Sequence, residues 1–95
     1  MATIVTVKFF PKLDNVEEVK EWFKNNLYTT EKYEGCQLIR AAYNKDINEF
    51  LLYEIWDSED AHKKYVNWRV EVGDIPMLAG LSTKDPEITY LEEVY

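Results

Sequence analysis

His62 is the only histidine of the 95 residues, and it lies a few positions after the run Tyr53-Glu54-Ile55-Trp56. An imidazole changes charge near neutral pH and can accept a proton from a substrate. If the run is a strand, alternation puts Leu52, Glu54 and Trp56 on one face, a carboxylate beside an indole. A hairpin turning near Asp46 would add Leu38 and Arg40 to that face, with Arg40 diagonal to Glu54. Together they would supply a base, a cation for an oxyanion and a flat aromatic wall. The same residues also describe an ordinary cross-strand ion pair beside a packed tryptophan. One residue of slip in register would carry Arg40 to the other side.

Other chemistries find little support. Cys36 is the only cysteine, so no intrachain disulfide forms, and no His/Cys cluster has the ligand spacing of a zinc site. Gly35, Gly73 and Gly80 are too scattered for a phosphate-cradling loop, and neither Ser58 nor Ser82 sits in a nucleophile elbow. If the chain is an enzyme, the expectation is that it works with no metal and no tightly held cofactor. Eleven Lys and Arg against 18 Asp and Glu give a net charge of −7, which repels phosphate backbones and anionic lipid. Nucleic acid and membranes are therefore poor partners. No apolar run approaches the ~18 residues of a membrane span. The apolar amino-terminal stretch is interrupted by Lys8 and lacks the features of a signal peptide, so a cytoplasmic location is expected.

The elements that would position these residues follow from periodicity. Residues 2–10 alternate as a strand, with Val5, Val7 and Phe9 on one side, and Pro11 ends it. Val16, Val19, Phe23, Asn26, Leu27 and Thr30 recur at helical spacing, with Asp14 or Asn15 as cap and an end near Glu31. Gly35 precedes a strand from Cys36 to Tyr43, and Asn44-Lys45-Asp46 turns into a second from Glu49 to Asp57. Ser58 suits an N-cap, followed by Glu59 and Asp60 at the positive end of a helix. Ala61, Tyr65, Trp68 and Val72 form that helix's inward stripe, Gly73 and Pro76 mark its end, and Pro86 opens a last strand through Tyr95.

The order strand, helix, strand, strand, helix, strand predicts one domain over residues 1–95. Its class is α+β, a ferredoxin-like βαββαβ fold with helices on one face of an antiparallel sheet. The other face would expose Leu51 and Ile55, and a homodimer is the simplest cover.

The sequence resembles the antibiotic-biosynthesis monooxygenase domain family. The likeness rests on Gly35 before a strand, the hairpin, the Tyr53-Glu54-x-Trp56 strand end, and Ser58 opening a helix with Ala61 three residues on. It implies a dimeric α/β barrel made by pairing two sheets, with a substrate cavity between sheet and helices in each subunit. It also implies a pocket containing an Asn four residues before the Trp, the Trp itself and a Tyr six after it. Trp56 matches, whereas Leu52 and His62 occupy the other two places; Tyr65 stands where many members carry a His. A related haem-degrading branch has an Asn on the first strand and a later axial His, both absent here.

The resemblance implies oxidation of a small aromatic or quinol-type substrate by dioxygen, with no metal or flavin. The substrate loses a proton and its anion passes an electron to dioxygen. His62 and Trp56 are the catalytic candidates. Phe23 and Tyr65 offer ring contacts, Glu54 a second base, and Arg40 or Asn26 an oxyanion anchor. Each has a bland alternative as a packing or helix-edge residue. An isomerase of a small metabolite and a non-catalytic small-molecule-binding domain are alternatives on the same scaffold.

Overall fold

The computed structural model describes residues 1–95. It contains β1 (Thr3–Phe9), α1 (Val16–Glu31), β2 (Cys36–Asn44), β3 (Glu49–Trp56), α2 (Glu59–Glu71), α3 (Asp74–Gly80) and β4 (Glu87–Glu92), with one 3-10 turn at Leu13–Asn15. The strands form one antiparallel sheet in the order β2-β3-β1-β4, the ferredoxin-like arrangement expected. Alternation works as read on β1, where Val5, Val7 and Phe9 are buried beneath the helices. They join Val19 and Phe23 of α1, Phe50 and Leu52 of β3 and Leu78 of α3 in one core. The opposite face leaves Leu51 42% and Tyr53 40% exposed.

Four details depart from the sequence reading. The hairpin places Tyr43 opposite Phe50 and Arg40 opposite Tyr53, one residue away from the expected register. Asn48 sets it: its left-handed φ of 54° completes the turn, its Nδ2 donates to Pro11 O at 2.9 Å, and its Oδ1 accepts from the Tyr43 hydroxyl at 2.6 Å. On α2 the buried residues are His62, Tyr65 and Arg69, whereas Ala61 and Trp68 are half-buried and Val72 is exposed. Pro76 does not close the chain's helical stretch but lies in the first turn of α3, where its missing N–H lacks an intrahelical acceptor in any case. Finally, β4 stops at Glu92, because that residue pairs with Thr3 and β1 offers no residue beyond it.

Gly35 and Ala61 bring the α1–β2 connection against α2. Gly35 has φ +93°, and a Cβ there would lie 2.8 Å from the Ala61 Cβ. Any side chain at 35, or a larger one at 61, would push α2 off the end of β3.

Candidate active site

The site grows from the junction of β3 and α2. Alternation turns Leu52, Glu54 and Trp56 toward the helices, and Ser58 Oγ accepts the Ala61 N–H at 3.1 Å to start α2. His62, one residue later, then points at the sheet. Trp56 Nε1 donates to Glu54 Oε1 at 2.9 Å, and His62 Nε2 stands 3.7 Å from the same oxygen. On its other side His62 Nδ1 is 2.9 Å from the Tyr90 hydroxyl of β4. Glu54 and His62 are only 2% and 1% exposed, so both charged forms lose nearly all hydration.

Burial therefore reverses the usual order of the two groups. Desolvation pushes the Glu54 carboxyl up to about 7, offset only in part by the Trp56 hydrogen bond. It pushes His62 down to about 4, away from the ordinary imidazole range expected from its residue type. Between those values the proton resides on the carboxyl and the imidazole is neutral. Glu54 is consequently the group that ionises near physiological pH. Burial also pushes the Cys36 thiol up to about 11, leaving it without thiolate character.

Both groups border a cavity of about 80 Å³ beneath α2 and α3, with Leu52, Val66, Ile75 and Pro86 among its walls. Apart from Glu54 and His62, the lining is apolar. A larger groove of about 280 Å³ between α1 and the edge strand β2 includes Phe23, Leu27 and Tyr43 but neither Glu54 nor His62. The smaller cavity holds the titratable pair.

Only part of the expected constellation meets there. Trp56 is fully buried, its ring 5.4 Å from His62 and 5.1 Å from Tyr65 between centroids. Leu52 lines the cavity. Tyr65 stacks near Trp56, but its hydroxyl shares a 2.6 Å hydrogen bond with Thr30 and accepts from Arg69 Nε at 2.9 Å. Phe23 packs in the core against Phe9 and Phe50. Asn26 donates its amide N–H to Trp22 O of its own helix at 2.8 Å. Arg40 is corrected outright: residues paired across strands share a face, so it projects with Tyr53 on the open side, away from Glu54, and Leu38 does likewise opposite Ile55.

Two participants escaped the sequence reading. Tyr90 sits opposite Val5, and alternation along the last strand would have placed it on the helix side. Arg69 lies one turn beyond Tyr65 and is 4% exposed, a position that hydrophobic periodicity assigns to apolar residues.

The fold and site together define a ferredoxin-like α+β protein with a buried carboxyl–imidazole pair between its sheet and helices. The family model described as antibiotic biosynthesis monooxygenase matches residues 2–68, and the chain belongs to that family. The match spans Glu54, Trp56 and His62 but stops before α3 and Tyr90. Among solved structures, a conserved protein from Methanosarcina mazei is 21% identical with TM-score 0.85, covering 98% of this chain and 93% of its own. Rv0793 from Mycobacterium tuberculosis is 22% identical with TM-score 0.76, covering 100% and 97%. A structure titled antibiotic biosynthesis monooxygenase is 14% identical with TM-score 0.83, covering 100% of both chains. These similarities establish the shared fold. No curated protein matches the chain.

Proposed function

We propose that the chain is a monooxygenase needing no metal or flavin, acting on a small aromatic or quinol-type substrate with dioxygen. One observation carries the reading: Glu54, its carboxyl raised to about 7 by burial, lies at the wall of a cavity whose lining is apolar apart from it and His62. Such a group is half ionised near neutral pH and, once ionised, is a far better base than a solvated carboxylate. Glu54 takes the phenolic proton, with the Trp56 N–H holding its carboxylate in place. The phenolate gives one electron to dioxygen, and the phenoxyl and superoxide join through a new ring C–O bond. Glu54 returns its proton to the peroxide. The C–H bond at the oxygenated ring carbon then breaks as the O–O bond breaks, its electrons forming the new C=O, and the released proton and hydroxide leave as water. One phenol and one dioxygen give one quinone and one water. Apolar walls favour this sequence by keeping bulk water from the radical pair.

A cavity of about 150 Å³ accommodates benzene, whereas the space here is about 80 Å³, so ring entry requires α3 and the Pro86 segment to move outward. That size also favours a second reading, proton transfer on a smaller metabolite as in an isomerase. Oxygen uptake with hydroquinones and naphthols, without added cofactor, separates the two. Uptake matched to quinone formation is the expected result. Conversion without uptake would establish the isomerase, and binding without conversion a ligand-binding protein.

The open sheet face supports a homodimer, in which Leu51, Tyr53 and Ile55 meet a second copy. Sedimentation at micromolar concentration should give twice the chain mass, and Ile55→Asp should yield monomer or unfolded chain, because the carboxylate would be buried unpaired. A monomeric wild type would overturn the dimer.

A further inference from the structure

Glu54 is only 2% exposed, so its proton needs a route to solvent before the carboxyl can ionise. Glu54 has few neighbours able to provide one. The Trp56 N–H is a donor only, and the remaining cavity wall is apolar. His62 is different. Its Nε2 faces Glu54 Oε1 at 3.7 Å, while its Nδ1 is bonded to the Tyr90 hydroxyl at 2.9 Å. Tyr90 is half-buried and borders a separate surface depression with Thr3, Glu59 and Glu92. The inner cavity and this outer depression share no lining residue. The His62–Tyr90 hydrogen bond is what crosses the wall between them.

We propose that His62 and Tyr90 form a proton path joining the buried Glu54 carboxyl to solvent beside β4. In the outward step the Glu54 O–H bond breaks and the proton goes to His62 Nε2. The Nδ1–H bond breaks in turn toward the Tyr90 oxygen, whose own proton leaves to water. No electron is transferred, and the imidazole is left as its other tautomer. The inward step runs in reverse, Tyr90 protonating Nδ1 as Nε2 returns a proton to Glu54, which resets the ring. The 3.7 Å gap to Glu54 closes with a displacement of about 1 Å, within ordinary side-chain fluctuation. At the outer end Lys63 lies with its ammonium 5.7 Å from the Tyr90 ring centroid. Its charge opposes the upward push that burial, and to a lesser degree Glu59 and Glu54, exert on the Tyr90 phenol. Tyr90 and His62 are thus positioning and relay groups, and Glu54 is the one that meets substrate.

Glu54 ends each turnover in the state in which it began, so the path serves to ionise the resting carboxyl before substrate arrives, and in that use it deepens and rests on the reading of Glu54 as base. Its test needs no substrate, so a failure of oxygen uptake leaves it standing or falling on its own. After a jump from about pH 6 to about pH 8, discharge of Glu54 is followed by loss of its carboxyl infrared band, identified by its absence in Glu54→Gln. Tyr90→Phe keeps the ring and removes the hydroxyl. It should slow discharge about tenfold or more while leaving the titration midpoint in place, and His62→Gln should slow it similarly. A wild-type discharge rate in Tyr90→Phe overturns the path, as does slowing fully accounted for by a moved midpoint. Should the variants fail to fold, the wild type in H2O–D2O mixtures decides. A curved dependence of rate on deuterium fraction is expected from several protons in motion, and a linear one overturns the proposal.

Discussion

Glu54→Gln should lower turnover about 10²–10⁴-fold while leaving substrate binding largely intact, because the amide still accepts the Trp56 N–H but cannot take a proton. In the wild type kcat should rise with pH and level off above about 7, where the carboxylate prevails, and this rise should vanish in the variant. The same substitution has a stability signature of opposite value. Glu54 is held above its ordinary 4.5, so its contribution is full below about 4.5 and is lost as pH rises through about 7. His62 is held below its ordinary 6.5, so its contribution is full above about 6.5 and is lost as pH falls through about 4. Across the interval the two slopes oppose and nearly cancel. Glu54→Gln removes one of them, so stability should now climb with pH between about 4 and about 6.5. Above about 7 the variant should be more stable than wild type by up to about 3 kcal/mol, the cost of an ionised buried carboxylate. Denaturant titrations across pH measure this directly. A variant with wild-type turnover and a wild-type stability profile would remove Glu54 from the site.

That pair shows what the sequence could and could not convey. Strand alternation suffices to put Leu52, Glu54 and Trp56 on one face, since period two is insensitive to where a hairpin turns. Position across the hairpin is another matter. Four residues, Lys45 to Asn48, form the turn, and the left-handed Asn48 with its bonds to Pro11 and Tyr43 shifts the register by one. That shift alone moves Arg40 to the open face and leaves Glu54 without the cross-strand ion pair the sequence suggested. The inversion of the carboxyl and imidazole values follows from burial, which residue identity does not encode.

Helix α2 exposes a different limit. Apolar spacing selects Ala61, Tyr65, Trp68 and Val72, but the inward positions are His62, Tyr65 and Arg69, so hydrophobicity points almost one residue away from the true face. Polar side chains take these sites because each finds partners on a neighbouring element: Tyr90 for His62, Thr30 for Tyr65, and Asn26, Thr29, Thr30 and Asp74 for Arg69. Such long-range partners leave no periodic trace. Helix α3 was hidden for a local reason, as Pro76 reads as a breaker unless the helix is known to begin two residues earlier, at Asp74.

Arg69→Ala should cost about 3–5 kcal/mol, a large share of the ~5–15 kcal/mol available to a domain of this size. The guanidinium is where the three helices are tied together. Its Nη2 donates to Asn26 O at 3.1 Å, Thr29 Oγ1 at 2.7 Å and Thr30 Oγ1 at 3.0 Å on α1. Its Nε donates to Tyr65 on α2 at 2.9 Å, and its Nη1 to Asp74 Oδ2 at the start of α3 at 2.7 Å. Its planar carbon also lies 4.7 Å from the Trp68 ring and 5.2 Å from Trp22, so charge, hydrogen bonds and packing are lost together. Asp74 remains partly solvated and tolerates the loss, whereas buried Thr30 and Tyr65 are left with fewer partners. Arg69→Lys should recover little, because one ammonium cannot bridge three helices. Urea midpoints at unchanged m-value should fall accordingly, with Tm dropping ~4–8 °C for each kcal/mol. A loss below about 1 kcal/mol would mean the helices are held by apolar packing alone, with the arginine only filling space among the tryptophans.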